Sequence, residues 1–194
     1  MHLGDDQLVK EIISGSKSSL DVLVNRYYEL IYSYSMRQVN DYHLACDLTQ
    51  EVFVKMMMNI NKYRVGTDSF KYWLLKIALN HIRDYFRSEK NRKSTAFDNM
   101  EYLSNNDINN DNMINMLEIH EKSKEVKKAI YSLKEQEKEI VILKYYNDMT
   151  IKEISGITGN NESTIKSRLY RALEKLRRHL KGGDIIEKRS NGKR

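Results

Sequence analysis

Apolar residues in this chain recur at spacings of three and four, the period of an α-helix with one buried face. From Leu20 they fall at Leu20, Leu23, Val24, Tyr27, Ile31 and Tyr34, and from Phe70 at Phe70, Trp73, Leu74, Ile77, Ala78 and Tyr85. The pattern predicts helices from about Leu20, with Ser18 or Ser19 as its cap, over about 41–62, and over 69–89. A short leading helix over Asp5–Ile13 completes a four-helix N-terminal unit. Between the last two helices, Val65-Gly66-Thr67-Asp68 reads as a loop.

The stretch from Ser88 to about Asn112 breaks the period. It is rich in Asn, Asp and Ser and offers little to bury, which predicts a flexible, extended linker. Helix returns over Met113–Leu133, and two capping-box patterns follow, Ser132-Leu133-Lys134-Glu135 and Thr150-Ile151-Lys152-Glu153. The last helix begins near Asn161 and is expected to stop at Gly182-Gly183. The expected fold is therefore all-α: two small helical domains joined by a flexible polar linker, with a helix-turn-helix in the C-terminal one. The boundaries read from sequence are 1–93, a linker over 94–112, 113–181, and a disordered tail over 182–194.

Charge follows the same division. Residues 1–95 carry 14 Lys/Arg against 11 Asp/Glu, 96–121 carry six acids and no Lys or Arg, and 122–194 carry 19 Lys/Arg against 10 acids. A basic end reached through an acidic segment suits contact with a polyanion; a solvated Lys-rich surface gives the same arithmetic. No apolar run approaches a membrane span, and the N-terminus has neither the cationic start nor the apolar stretch of a signal peptide, so a cytoplasmic chain without membrane insertion is expected. The single Cys46 excludes an internal disulfide framework and a multi-Cys zinc site within one chain.

Thr150 to Leu169 spans a short helix, a Gly/Asn turn and a second helix, the form of a helix-turn-helix whose second helix enters the DNA major groove. Stepping about 100° per residue from Ile165 gathers Ile165, Leu169, Ala172, Leu173, Leu176 and Leu180 on one side. The other side carries Ser163, Ser167, Tyr170, Arg171 and Arg178, with Thr164 and Lys166 on its flanks. Arg171 suits a bidentate contact to guanine, Ser and Thr serve several bases, and Lys166 reaches a guanine or a phosphate. Arg168 falls nearer the buried side, which suits a phosphate or structural role. An ordinary helical hairpin with a charged face is the plainer alternative.

Two N-terminal features go beyond a generic helix-turn-helix protein. Asp47, Gln50 and Glu51 stand at i, i+3 and i+4 and share one surface patch. The run Phe70 to Arg87 mixes aromatics with Lys, Asn and Arg, chemistry suited to unpaired bases. Each alone also fits a solvated helix face or a core stripe.

Taken in order, these residues resemble a bacterial RNA polymerase sigma factor of the extracytoplasmic-function (ECF) group. The resemblance rests on Asp5-Asp6-Gln7-Leu8-Val9, Asp47-Leu48-Thr49-Gln50-Glu51-Val52-Phe53, Trp73-Leu74 with Ile77-Ala78-Leu79-Asn80, Thr164 to Leu169, and Arg171-Ala172. It implies a transcription initiation factor, not an enzyme, with no cofactor or metal, that binds core RNA polymerase and promoter DNA. Residues 1–93 would be the region 2 domain and 113–181 the region 4 domain.

Asp47, Gln50, Glu51 and Phe53 inherit a role in docking on core polymerase. The loop from Val65 to Phe70, with Thr67, Asp68 and Ser69, and the helix bearing Tyr72, Asn80, Arg83, Asp84 and Arg87 would face the −10 element, where the non-template single strand is held open. Unstacking a base costs a few kcal/mol, and stacking on an aromatic returns about 1–3 kcal/mol, so Phe70, Tyr72 and Trp73 are candidates; the spacing of Trp73 also fits a core residue that shapes the loop. Ser163, Thr164, Lys166, Ser167, Arg168, Tyr170 and Arg171 would read the duplex −35 element. An anti-sigma protein is a further implied partner.

Two departures stand out: no Pro at the C-terminal helix starts, and Glu162-Ser163 where a Gly is common before Thr164. The competing readings are a dimeric repressor or activator that binds a palindrome without polymerase, and an enzyme using His43 and Cys46 at i, i+3 as metal ligands.

Overall fold

The computed structural model describes residues 3–66, 69–95 and 124–190. They are helical, with no strand among them, and fall into two compact units, one on each side of the acidic segment.

The first unit holds α1 (Asp5–Ile13), α2 (Lys17–Val39), α3 (Tyr42–Asn59), a 3₁₀ turn at Ile60–Lys62, and α4 (Phe70–Thr95). Gly15, at φ +97°, turns the chain between α1 and α2. Ser16, rather than the expected Ser18 or Ser19, then caps α2 by accepting the Ser19 N–H. Ser19 lies inside the first turn instead, and its hydroxyl donates to the Glu11 carboxylate, joining α1 to α2. At the far end Asn40 takes the left-handed conformation (φ 54°) and donates its N–H to the Met36 carbonyl, closing α2. Asp41 starts α3 by accepting the Leu44 N–H at 2.9 Å.

The expected stripe of α2 turns inward at Leu23, Ile31 and Tyr34, which meet Ala45, Leu48, Val52 and Met56 of α3 and Leu74, Leu75, Ala78 and Leu79 of α4 in the buried set. The buried face of α4 is wider than the predicted stripe, adding Leu75, Leu79, His81 and Ile82, because α4 packs on both α2 and α3. Helix also continues through residues 94–95, the first two assigned to the linker; 96–112 lie outside the described residues.

In the second unit, α5 covers 124–131, α6 is Glu135–Tyr145, α7 is Ile151–Thr158 and α8 is Glu162–Ser190. Of the helix expected over 113–133, residues 113–123 lie outside the described residues, and the rest closes at 131. The expected cap at Ser132 is corrected: its hydroxyl donates back to the Ala129 carbonyl at 2.7 Å. Lys134 holds the N-cap position of α6, and Glu137 accepts its backbone N–H at 3.2 Å. A Lys side chain has no acceptor, so only the acidic half of a capping box exists there. At α7 the predicted box is complete, with Thr150 Oγ1 accepting the Glu153 N–H at 3.3 Å and Glu153 accepting the Thr150 N–H at 2.7 Å.

The core of this unit joins Ile140, Val141, Ile142 and Leu143 of α6, Ile154 and Ile157 of α7, and Ile165 and Ala172 of α8. The expected stop at Gly182-Gly183 is also corrected, since α8 runs through both glycines to Ser190. A glycine inside a helix costs about 1 kcal/mol relative to Ala, too little to end one when no Pro follows.

Glu137 ties α6 to α8. Its buried carboxylate accepts from Lys175 Nζ at 2.7 and 2.8 Å. Burial pushes its carboxyl up, but the Lys175 ammonium and the Lys134 N–H outweigh it and leave it below the usual glutamate range. A depressed value means stability that is present above the ordinary carboxylate range and lost as pH falls through the folded value. Glu137→Gln should therefore destabilise the protein at neutral pH by about 1–2 kcal/mol, the worth of a charge-assisted hydrogen bond. Urea melts at pH 7 and at pH 4 should show the gap between variant and wild type narrowing in acid.

Candidate nucleic-acid interface

Three exposed helix faces carry the predicted site residues. On α3, burial of Leu48, Val52 and Met56 turns Asp47, Gln50 and Glu51 outward together. The same outward row continues through Val54, Met57 and Met58, which are exposed despite being apolar, Met58 at 78%. Sequence reading missed these three, although one helical step on from Gln50 and Glu51 reaches Val54 and a second reaches Met57 and Met58. Phe53 is not on this face. It is buried, its ring nearly parallel to Tyr28 with centroids 6.3 Å apart, so its part in docking is corrected to supporting the helix from beneath.

On α4, Asn80, Asp84 and Arg87 stand exposed at i, i+4 and i+7, with Arg83 half-buried beside them. Arg87 Nη1 lies 3.4 Å from Asp84. Lys76, exposed one turn before Asn80, extends the row and was not singled out from sequence. Of the loop residues, Thr67 and Asp68 lie outside the described residues; Ser69 is exposed, and its carbonyl accepts the Tyr72 and Trp73 N–H groups that open α4.

Phe70 is fully enclosed. Its ring centroid lies 5.3 Å from Tyr27, 5.3 Å from Tyr63 and 5.5 Å from Trp73, so it is corrected from a base-stacking candidate to the centre of an aromatic cluster. Trp73, half-buried against Tyr63 at 5.5 Å, takes the loop-shaping place that its spacing also allowed. Tyr72 is half-buried and outside these pairings.

Two carboxylates of α1 lock this cluster. Asp6 accepts from the Tyr63 hydroxyl at 2.8 Å and from the Gly66 N–H at 3.0 Å, and Gly66 (φ +80°) supplies the left-handed turn. Asp5 accepts from Arg26 and from the Tyr27 hydroxyl. Burial, with Asp5 beside it, raises the Tyr27 phenol well above its ordinary value, so the group stays protonated as the donor.

On α8, Asn161 Oδ1 caps the helix, accepting from the Thr164 N–H at 2.8 Å and the Ser163 hydroxyl at 2.9 Å. Burial of Ile165 and Ala172, with Leu169 and Leu176 half-buried behind them against Leu133 and Val141, turns Ser163, Lys166, Ser167, Tyr170 and Arg171 to solvent. Tyr170 is 67% exposed. Thr164 and Arg168 are half-buried at the edges. Leu173, expected inside, is exposed, because eight residues on from Ile165 it has rotated by about 80°. Glu162 lies 3.9 Å from Lys166 and sits in the first turn, where the helix dipole favours an acid.

Among the described residues no group of three His, Cys, Asp or Glu could hold a metal ion, and no helix is long and apolar enough to cross a membrane. Cys46 is a half-buried free thiol, and His43 stands edge-on to Tyr42 at 5.3 Å.

The first unit thus carries an exposed acidic-polar row and a polar and basic row rooted beside an aromatic cluster, and the second a capped helix-turn-helix, the form of a DNA-binding module. Residues 23–92 match the Sigma-70 region 2 family and 123–176 match Sigma-70, region 4. The chain is 30% identical over 159 residues to the RNA polymerase sigma factor SigV of Bacillus subtilis, covering 82% of this chain and 87% of SigV. It is 29% identical over 160 residues to the ECF RNA polymerase sigma factor SigM of the same organism, covering 82% and 93%. The solved structure of the sigma factor RpoE with the anti-sigma factor NepR from Bartonella quintana shares the fold, with a TM-score of 0.63 at 20% identity over 83% of this chain and 96% of that one. The chain belongs to the ECF group of RNA polymerase sigma factors. It directs promoter-specific transcription initiation by core RNA polymerase.

The Asp6 clamp has a direct test. Asp6→Ala leaves the Tyr63 hydroxyl and the Gly66 N–H without their acceptor, which should cost about 1–3 kcal/mol in a denaturant melt. Hydrogen exchange should speed up at Gly66 while amides in α5–α8 stay as protected as before.

Proposed function

We propose that the three faces divide the work of initiation. Asp47, Gln50 and Glu51, with Val54, Met57 and Met58 around them, dock on core polymerase. Ser69, Tyr72, Lys76, Asn80, Arg83, Asp84 and Arg87 attend the −10 element and its opened non-template strand, together with Thr67 and Asp68. Ser163, Thr164, Lys166, Ser167, Tyr170 and Arg171 read the −35 duplex, and Arg168 holds a phosphate at its edge. The division follows the two sequence-derived domains, region 2 with its last helix carried on to Thr95 and region 4 with α8 carried on to Ser190.

The observation that carries this reading is the outward row of α8. Four side chains capable of groove contacts, Lys166, Ser167, Tyr170 and Arg171, share one face of a capped second helix, while the opposite face is apolar and buried. Acids with exposed methionines on α3 offer a separate surface of the opposite character, suited to a protein partner that presents basic and apolar groups. We further propose that the protein works in the cytoplasm, catalyses no reaction itself, and is held in check by an anti-sigma protein, as the Bartonella quintana relative is seen bound to one.

Arg171→Ala should cost about 1–3 kcal/mol at one or two −35 base pairs and little at the others. Promoter-variant transcription reads this directly, and a uniform loss at every base would make Arg171 a phosphate contact. Replacing Asp47, Gln50 and Glu51 together by Ala should abolish co-elution with purified core polymerase while the far-UV circular dichroism stays unchanged. Retained co-elution would overturn the docking assignment.

A further inference from the structure

His81 is the one buried imidazole described among the helices of the first unit, and its place is unusual. It follows Asn80 on α4 yet points the other way, into the α3–α4 contact, with 8% of its surface exposed. There its Nε2 lies 2.7 Å from Glu51 Oε2. Glu51 itself is an exposed side chain at 60%, so a buried ring on one helix reaches a carboxylate that stands on the outer face of the next. The Nε2 atom is sealed from solvent and makes no aligned hydrogen bond, to Glu51 or to any other described residue; its approach to the Glu51 carboxylate is a close electrostatic contact.

We propose that His81 is a positioning residue for core polymerase binding: it holds the Glu51 carboxylate in place on the α3 docking face. The inference rests on the assignment of Glu51 to the docking surface.

The physical case has two parts. A free Glu side chain on a helix surface samples several rotamers, and fixing one at an interface costs affinity, so a side chain already held by its neighbour docks at lower cost. The second part is charge. The groups that face the ring are Glu51 and Lys55 from α3 and Asp84 from its own helix. Burial and the Lys55 ammonium lower the imidazole below its ordinary value, against the pull of Glu51 and Asp84. The ring is therefore largely neutral at pH 7, and its Nε2, when that nitrogen carries the proton, turns an N–H toward the Glu51 carboxylate. In acid the imidazolium pairs with Glu51 in full and competes with any basic group the polymerase presents to it. Binding then requires the proton to leave, and affinity falls as pH falls.

The experiment measures affinity of the full chain for purified core polymerase from pH 7.5 downward through and below the ordinary imidazole range, for wild type, His81→Gln, His81→Leu and Glu51→Gln. Wild type should weaken as pH falls below that range. His81→Gln, which keeps a donor but does not titrate, should bind within about twofold of wild type at pH 7.5 and lose the part of the pH dependence due to His81. His81→Leu should bind about three- to tenfold more weakly at pH 7.5, the range expected from one unheld side chain. Should His81→Leu fail to fold, the NMR tautomer signal of His81 in the wild-type chain takes its place, and it should move on Glu51→Gln. Equal affinity of the Leu variant, a pH profile in the Gln variant identical to wild type, or an imidazole signal indifferent to Glu51→Gln would each overturn the inference. If Glu51→Gln itself leaves core affinity unchanged, the docking assignment of Glu51 is what fails; if it weakens binding while both His81 variants behave as wild type, only the role of His81 falls.

Discussion

The rotation of a helix about its own axis is decided by what it buries, and every functional face in this protein is the remainder of that decision. On α3, Leu48, Val52 and Met56 are buried on one side, each worth about 1.5–3 kcal/mol relative to exposure. Turning the helix by one residue's angle would surrender several of these at once. No exposed ion pair, typically worth under about 1 kcal/mol, could compensate. Asp47, Gln50 and Glu51 are thus aimed outward by residues that never touch a partner. On α8, Ile165 and Ala172 do the same for Lys166, Ser167, Tyr170 and Arg171. Specific contacts to DNA need such fixed orientation, because a bidentate Arg–guanine pair tolerates little angular error.

Charge in the molecule is arranged around these faces rather than spread evenly. Glu137, buried between α6 and α8, is matched by Lys175, so a potentially costly carboxylate becomes a cross-helix tie. Glu162 would repel DNA if it stood alone, but it lies within ion-pair reach of Lys166 and at the positive end of α8. The charge of Glu162 is in that way partly offset at the start of α8. On α3, Asp47 has no ion pair among the described residues, whereas Glu51 has a buried imidazole behind it.

The aromatic cluster shows how a loop acquires a shape. Residues on both sides of the loop, Tyr63 before it and Trp73 after it, converge on Phe70, which also meets Tyr27 of α2. Such ring pairs contribute about 0.5–1.5 kcal/mol each beyond their burial. Asp5 and Asp6 then fix the hydroxyls of Tyr27 and Tyr63 from α1. The loop is therefore anchored by residues drawn from four helical segments, with the opening Asp5-Asp6 pair doing so from nearly 60 residues away in sequence.

The local patterns of the chain by themselves determined the all-α class, the place of α1, the capping box at Thr150, and the outward placement of Asp47, Gln50 and Glu51 on α3 and of Ser163, Lys166, Ser167, Tyr170 and Arg171 on α8. These depend on interactions three or four residues apart, which a linear reading resolves. Only the tertiary structure decided the fates of Phe53, Phe70 and Leu173, the cap at Ser16, and the contact of His81 with Glu51. Phe70 could serve a base or the core and Phe53 a docking face or the core; the presence of Tyr27, Tyr63 and Tyr28 across from them settled their packing. The glycines at 182–183 followed the same logic in reverse, as a local stop signal of about 1 kcal/mol per residue did not end α8. Where neighbours in sequence compete with neighbours in space for one side chain, the outcome depends on which partner is brought within reach, and that distance is a property of the folded chain.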